Sequence, residues 1–159
     1  MARAAEPKAP DHPDVIAPPP LVYLGPLLGG LLLDRLLPPP RLPGALRLLG
    51  LPAVAAGAGL MGWFLTSMRR MNTPVDPRQT PTALVEDGPF LYTRNPAYVG
   101  MALLYSGITL LTGGRWPWLF LPVAVVTIQR RVIEPEERFL EQRFGDGYRR
   151  YRSRVPRWL

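Results

Sequence analysis

Two groups of side chains in this sequence have the types and spacing for chemistry. The first lies in residues 88–100, GPFLYTRNPAYVG, where Arg94, Asn95, Pro96, Tyr98 and Gly100 lead into an apolar run. Asn followed by Pro is a strong helix start, with Asn at the N-cap and Pro at the first helical position. The second group is Glu134, Glu136 and Glu137, just past the next apolar run and close to Arg130, Arg131 and Arg138. Free N–H groups at a helix start hold an anion, and carboxylates hold a cation. Brought together, the two groups suit an amphoteric small molecule. Each residue also has a purely structural use: Arg94 on lipid phosphates, Asn95 as a cap, Tyr98 as an interface anchor, Gly100 in helix packing, the glutamates in ion pairs.

Other chemistries are excluded by what is missing. The chain has no Cys, and its one His, His12, sits in a Pro-rich stretch. Thiol chemistry, disulfides, a Ser-His-Asp triad and a His-based zinc centre fall away, and no metal is expected. The net charge of +7 comes almost wholly from Arg. The Arg lie between apolar blocks rather than among them, which indicates a bilayer with basic flanks and not a nucleic-acid surface.

The elements that must position the two groups are apolar blocks. Residues 1–20 carry so many Pro that neither helix nor strand is expected, and a mobile tail is. Residues 21–37 form a first block, short for a span of about 20 residues, with Asp34 and Arg35 near its end. Residues 46–68 form a second, uncharged after Arg47, with a small patch at residues 55–59 suited to close helix contact. Residues 70–89 hold four Pro and are expected as a stiff, extended loop. Residues 97–111 and 116–133 are the third and fourth blocks, joined by a tight turn at Gly113 and Gly114. Beyond them, Leu140, Phe144, Tyr148 and Tyr151 lie on one stripe of a helix that Gly145 and Gly147 interrupt; it lies on headgroups or covers a pocket. Residues 155–159, VPRWL, have the composition of an interface anchor.

Basic residues set the orientation. Arg69, Arg70, Arg78 and Arg94 share the long loop, and most others lie past residue 129, while Arg41, Arg47 and Arg115 flank the short turns. Four spans with both termini and the long loop in the cytoplasm follow, in a bacterial inner membrane. The expected fold is an all-α integral membrane protein: about four transmembrane helices plus a C-terminal amphipathic helix, forming a cytoplasmic-side cofactor pocket. Residues 21–68 make the N-terminal pair of spans and residues 69–159 the core.

The order GPF-x(3)-RNP-x-Y-x-G, an apolar hairpin, EE-x(2)-L-x(3)-FG-x(2)-Y-x(2)-Y and VPRW resembles the isoprenylcysteine carboxyl methyltransferase family, related to the phospholipid N-methyltransferases. The resemblance runs from about Thr80 to Leu159. It implies an integral-membrane enzyme that uses S-adenosylmethionine and acts on a lipophilic small molecule or lipid, without nucleic acid. It implies a cofactor site at Leu84, Val85, Gly88, Phe90, Asn95, Pro96, Ala97, Tyr98, Glu136 and Glu137, with Arg94 and Gly100 in the same turn. Eukaryotic members carry His where this chain has Asn95; Asn donates and accepts hydrogen bonds but does not titrate. The family also places an Arg shortly before the glutamates to face the substrate, which points to Arg130 or Arg131. Methyl transfer to a carboxylate needs no base, whereas transfer to an amine does. Carboxyl O-methylation is the first expectation, with N-methylation of an aminophospholipid, or a non-catalytic four-helix protein, as alternatives.

Overall fold

The computed structural model describes residues 18–40 and 42–159. Most of the expected tail, and Arg41, lie outside that set. Among the described residues the structure is helical, with no strand.

Four long helices run up, down, up and down. Helix α1 spans Pro19–Leu36. A short helix α2, Gly44–Leu48, leads through Leu49 into α3, Gly50–Arg70. A 3₁₀ turn, Gly88–Leu91, precedes α4, Pro96–Thr112. Helix α5, Trp116–Ile128, continues through a π-helical turn, Gln129–Ile133, into α6, Glu134–Phe144, and α7, Asp146–Arg154, follows.

The expected tail ends sooner than its Pro content implied. Pro19 and Pro20 open α1, because the first helical positions need no backbone donor and a fixed φ suits them. Gly145, at φ +53, ends α6, while Gly147 lies inside α7. One stretch, Gly44–Arg70, is long and apolar enough to cross a membrane, and Pro96–Thr112 is a shorter apolar helix.

Helices α3 and α4 meet along small residues repeated every seven positions. A Cβ on Gly57 would lie 2.9 Å from the Gly100 carbonyl oxygen, and one on Gly107 would lie 2.6 Å from Val54 Cγ2. Backbones this close make extensive dispersion contact, which only Gly permits. Helix α1 packs on α5, where Gly30 abuts Pro117, and touches α4 through Tyr23, whose hydroxyl donates to the Tyr98 carbonyl at 3.2 Å. The core between them holds Tyr23, Leu27, Tyr98, Tyr105, Ala124 and Ile128.

The end away from the signature is latched by two charges matched to helix dipoles. The Asp34 carboxylate accepts from the Arg115 and Trp116 N–H groups at the start of α5, at 3.1 and 3.3 Å. The Arg47 guanidinium donates to the Leu111 carbonyl at the end of α4, at 2.9 and 3.1 Å. An anion at a helix start and a cation at a helix end are both favourable.

Candidate functional site

At the opposite end, the starts of α1 and α4, the C-terminal half of α3, α6, α7 and the loop of residues 71–87 surround a cavity of about 550 Å³. Cavities of this size hold small molecules. Of the residues marked in the sequence, Leu84, Val85, Phe90, Arg94, Asn95, Pro96, Ala97, Tyr98 and Glu136 line it. Gly88, Gly100, Glu137, Arg130 and Arg131 do not.

The loop keeps its shape through polar contacts. Thr82 N–H donates to Thr73 Oγ1 at 3.1 Å, and Thr82 Oγ1 donates to the Asn72 carbonyl at 2.9 Å. Arg143 Nε donates to the Pro81 carbonyl at 3.0 Å, whereas the Arg154–Glu86 pair at 2.7 Å is exposed, lies outside the cavity wall and adds little. Gly88, at φ +58, lets the chain turn where a Cβ would meet Ser67 Oγ at 2.4 Å. Gly88 and Gly100 thus both serve close packing against α3.

The C-terminal stripe covers this loop and not headgroups. Tyr148, Tyr151 and Val155 are buried against Leu84, Phe90, Leu140 and Phe144. Tyr151 Oη donates to the Phe90 carbonyl at 2.9 Å. Residues 155–158 fold back beneath the signature, burying Val155, and Trp158 Nε1 donates to Gln129 Oε1 at 3.1 Å, while Leu159 stays exposed.

Asn95 stands at the N-cap position of α4 but makes no side-chain cap bond. Its Nδ2 donates instead to the Arg157 carbonyl at 2.9 Å, which also accepts from Thr93 Oγ1 at 3.1 Å. Thr93 Oγ1 in turn accepts from Asn95 N–H at 3.2 Å. Asn95 as a side-chain cap is therefore corrected: its amide is oriented by the returning chain, and its oxygen accepts from no N–H of the first turn.

The two glutamates sit in different surroundings. Glu136 is half-buried, lines the cavity, and accepts from Tyr98 Oη at 3.1 Å. No cationic side chain pairs with it among the described residues. Burial pushes its carboxyl from the ordinary 4.5 up to about 7, opposed by the Tyr98 hydroxyl and reinforced by the neighbouring charge of Glu137. Glu137 is buried and turned from the cavity, paired with Arg94 at 2.9 Å and with Arg157 at 2.6 Å. Arg94 also donates to Tyr148 Oη at 3.3 Å, while its Nε is buried without a partner. Burial first, then the charge of Glu137, raise the Tyr148 hydroxyl to about 12, with Arg94 opposing. Adjacent helical residues point about 100° apart, so one faces the cavity and the other the returning chain.

Arg130 and Arg131 lie on the exposed side of the π-helical turn, and Val132 and Ile133 take the buried side. Neither Arg lies in the cavity wall, so neither is placed to orient a substrate there. The sequence reading missed Arg157, Thr93, Tyr148 and Tyr151. The last two had a signal in the four-then-three stripe, and Arg157 stood in the VPRW run; nothing in the sequence marked its contact with Thr93, 64 positions away.

The described residues form an apolar helical bundle with a cavity at one end. The chain belongs to the phospholipid methyltransferase family, whose model matches residues 46–147, and so to the membrane methyltransferases. The resemblance read from the signature agrees with this. An uncharacterized protein of Haemophilus influenzae is 39% identical over 62 residues, 39% of this chain and 98% of that protein. The protein-S-isoprenylcysteine O-methyltransferase of Schizosaccharomyces pombe is 36% identical over 73 residues, 46% of this chain and 31% of the yeast enzyme. The match thus spans less than a third of the yeast enzyme's length. No solved structure matches the chain.

Proposed function

We propose that this chain is an integral-membrane methyltransferase that uses S-adenosylmethionine and acts on a lipophilic acceptor, first of all by carboxyl O-methylation. The observation that carries the reading is the shared cavity: the RNP-x-Y turn and Glu136, distant in sequence, wall one space together with Leu84, Val85 and Phe90.

The donor set suits that cofactor. S-adenosylmethionine supplies an electrophilic methyl on a cationic sulfur, and carries an ammonium, a carboxylate and an apolar-faced base. Glu136 is a carboxylate without a cation of its own and suits the positive part. The orphaned Nε of Arg94 beside the start of α4 suits the carboxylate, since a buried donor without a partner is costly. Phe90, Leu84, Val85 and Leu140 supply apolar walls for a base. Gly88, Gly100 and Glu137 serve the site at one remove, by close packing and by holding Arg94. The chain's residues bind, orient and exclude water; alignment of this kind is worth up to about 7–11 kcal/mol.

Four apolar helices cross the bilayer in this reading: α1, α2 with α3, α4, and α5 with its π-helical turn. Leu21, Leu24, Leu28, Leu32 and Leu36 make an exposed stripe along α1, and Leu119, Val123 and Val126 do so on α5, as lipid-facing surfaces should. The exposed Arg69, Arg70, Arg130, Arg131 and Arg138 surround the cavity end, which supports a reading in which that end and both termini face a bacterial cytoplasm. Met61, Phe64 and Met101 give the cavity an apolar wall at bilayer depth, suited to an acceptor arriving from the lipid.

One observation favours a second reading, N-methylation of an amine-bearing lipid. The arginines in the wall, Arg94 and Arg78, are already matched by Glu137 and Asp76. Glu136 keeps a carboxylate placed to accept the proton that an amine must lose. Turnover with methyl-labelled cofactor over lipid extracts separates the readings. Base-labile label in the lipid product supports an ester; base-stable label supports an amine. No labelled product from folded protein with any lipid, isoprenoid acid or prenyl-cysteine analogue counts against both.

A further inference from the structure

Glu137 stands where a second ligand-facing carboxylate is expected, yet its oxygens are taken. Oε1 accepts from Arg157 Nε at 3.0 Å and from Arg94 Nη1 at 2.9 Å. Oε2 accepts from Arg157 Nη2 at 2.6 Å. Arg157 also offers its carbonyl to Asn95 and Thr93, and its neighbour Pro156 offers its own to Arg94 N–H at 2.9 Å. Arg157 lies 62 positions from Asn95 and outside the matched stretch of residues 46–147. It nevertheless touches three consecutive residues of the signature turn, or their immediate partner.

We propose that Arg157 is the positioning residue of this site. It fixes Asn95 through its carbonyl and Glu137 through its guanidinium, and through Glu137 it fixes Arg94. The glutamate pair thereby divides: Glu136 faces the ligand, and Glu137 anchors the side chains around it. A plain stabilising ion pair would not explain why the Asn95 amide is turned to the Arg157 carbonyl and makes no cap bond to its own helix. Nor would it explain the fork: a bidentate guanidinium sets an orientation that a point charge does not. The Arg154–Glu86 pair at 2.7 Å is far more exposed, with side chains 66% and 38% accessible against 32% and 11% for Arg157 and Glu137. It therefore serves as the control.

This inference rests on the cavity being an S-adenosylmethionine site, and the experiment keeps the two apart. Asn occurs in the chain only at positions 72 and 95, so protein grown with ¹⁵N-asparagine shows just two side-chain amide pairs. The full chain in detergent micelles is compared as wild type, Arg157→Gln, Arg157→Lys and Arg154→Gln, by amide spectra and by S-adenosylhomocysteine affinity. In Arg157→Gln the Asn95 pair moves while the Asn72 pair stays, and affinity falls about tenfold or more, which is about 1.4 kcal/mol. Arg157→Lys, which keeps the charge without the fork, recovers part of the affinity, and it carries the test if the Gln variant does not fold. Arg154→Gln changes neither readout. An unmoved Asn95 pair with wild-type affinity in both Arg157 variants overturns the proposal. If the wild type binds no S-adenosylhomocysteine, the cofactor reading fails, and the Asn95 resonance alone decides whether Arg157 places that side chain.

Discussion

Replacing Glu136 by Gln removes a charge that the fold holds at a cost. Its carboxyl titrates near 7 when folded against 4.5 ordinarily, because burial disfavours the anion. A carboxyl that binds its proton more tightly folded than unfolded stabilises the fold in full below about pH 4.5. That contribution is lost as pH rises towards 7 and is absent above it. At about 1.4 kcal/mol per pH unit, the span from 4.5 to about 7 corresponds to about 3 kcal/mol. Gln keeps the shape and can still accept from the Tyr98 hydroxyl, but it does not ionise. Glu136→Gln should therefore melt with the wild type near pH 5 and above it at pH 8. At about 2–4 °C per kcal/mol for a chain of this size, the difference at pH 8 is about 6–12 °C. Thermal unfolding of both proteins in one detergent, stepped from pH 5 to pH 8, reads this directly. Apart from Glu137, whose charge acts on Glu136, the other carboxylates act on both proteins alike, so the difference between the curves reports Glu136 and that coupling. A melting difference that stays constant across the range would refute the reasoning.

Three further outcomes follow from single contacts. Glu137→Ala leaves the buried Arg94 without a counter-ion, while Arg157 keeps Glu134 at 3.7 Å, and should cost about 3–5 kcal/mol in denaturant unfolding; a loss below about 1 kcal/mol would mean that water compensates the Arg94 guanidinium. Gly107→Val inserts atoms where a Cβ already lies 2.6 Å from Val54, so it should destabilise by about 1–3 kcal/mol, whereas Gly25→Ala, with nothing within 4 Å, should melt near the wild type. Asn95→Ala, which removes the amide that holds the Arg157 carbonyl, should weaken S-adenosylhomocysteine binding by about tenfold, or about 1.4 kcal/mol; an unchanged dissociation constant would confine Asn95 to structure.

Much of this arrangement was legible before any coordinates. The run of residues 46–68, uncharged after Arg47, announced α3, and Asn95-Pro96 announced the start of α4. The meeting of the signature turn with the glutamates was legible only as a resemblance, because nothing local to either stretch encodes it. Three features were out of reach for physical reasons. The π-helical turn at Gln129–Ile133 needs no distinctive residue, yet it sets which of Arg130, Arg131, Glu136 and Glu137 faces inward. Arg157 makes its contacts across the whole core, where composition says nothing about a partner. Pro19 and Pro20 were read as helix breakers, although Pro breaks a helix in its interior and not at its first turn.

Isothermal titration of S-adenosylhomocysteine into the purified, folded protein in detergent is the most direct measurement of whether this cavity is a cofactor site. One molecule should bind per chain, with Glu136→Ala and Asn95→Ala each weakening binding while the protein still melts cooperatively. Absence of binding to cooperatively melting wild type, or full affinity in both variants, would contradict it.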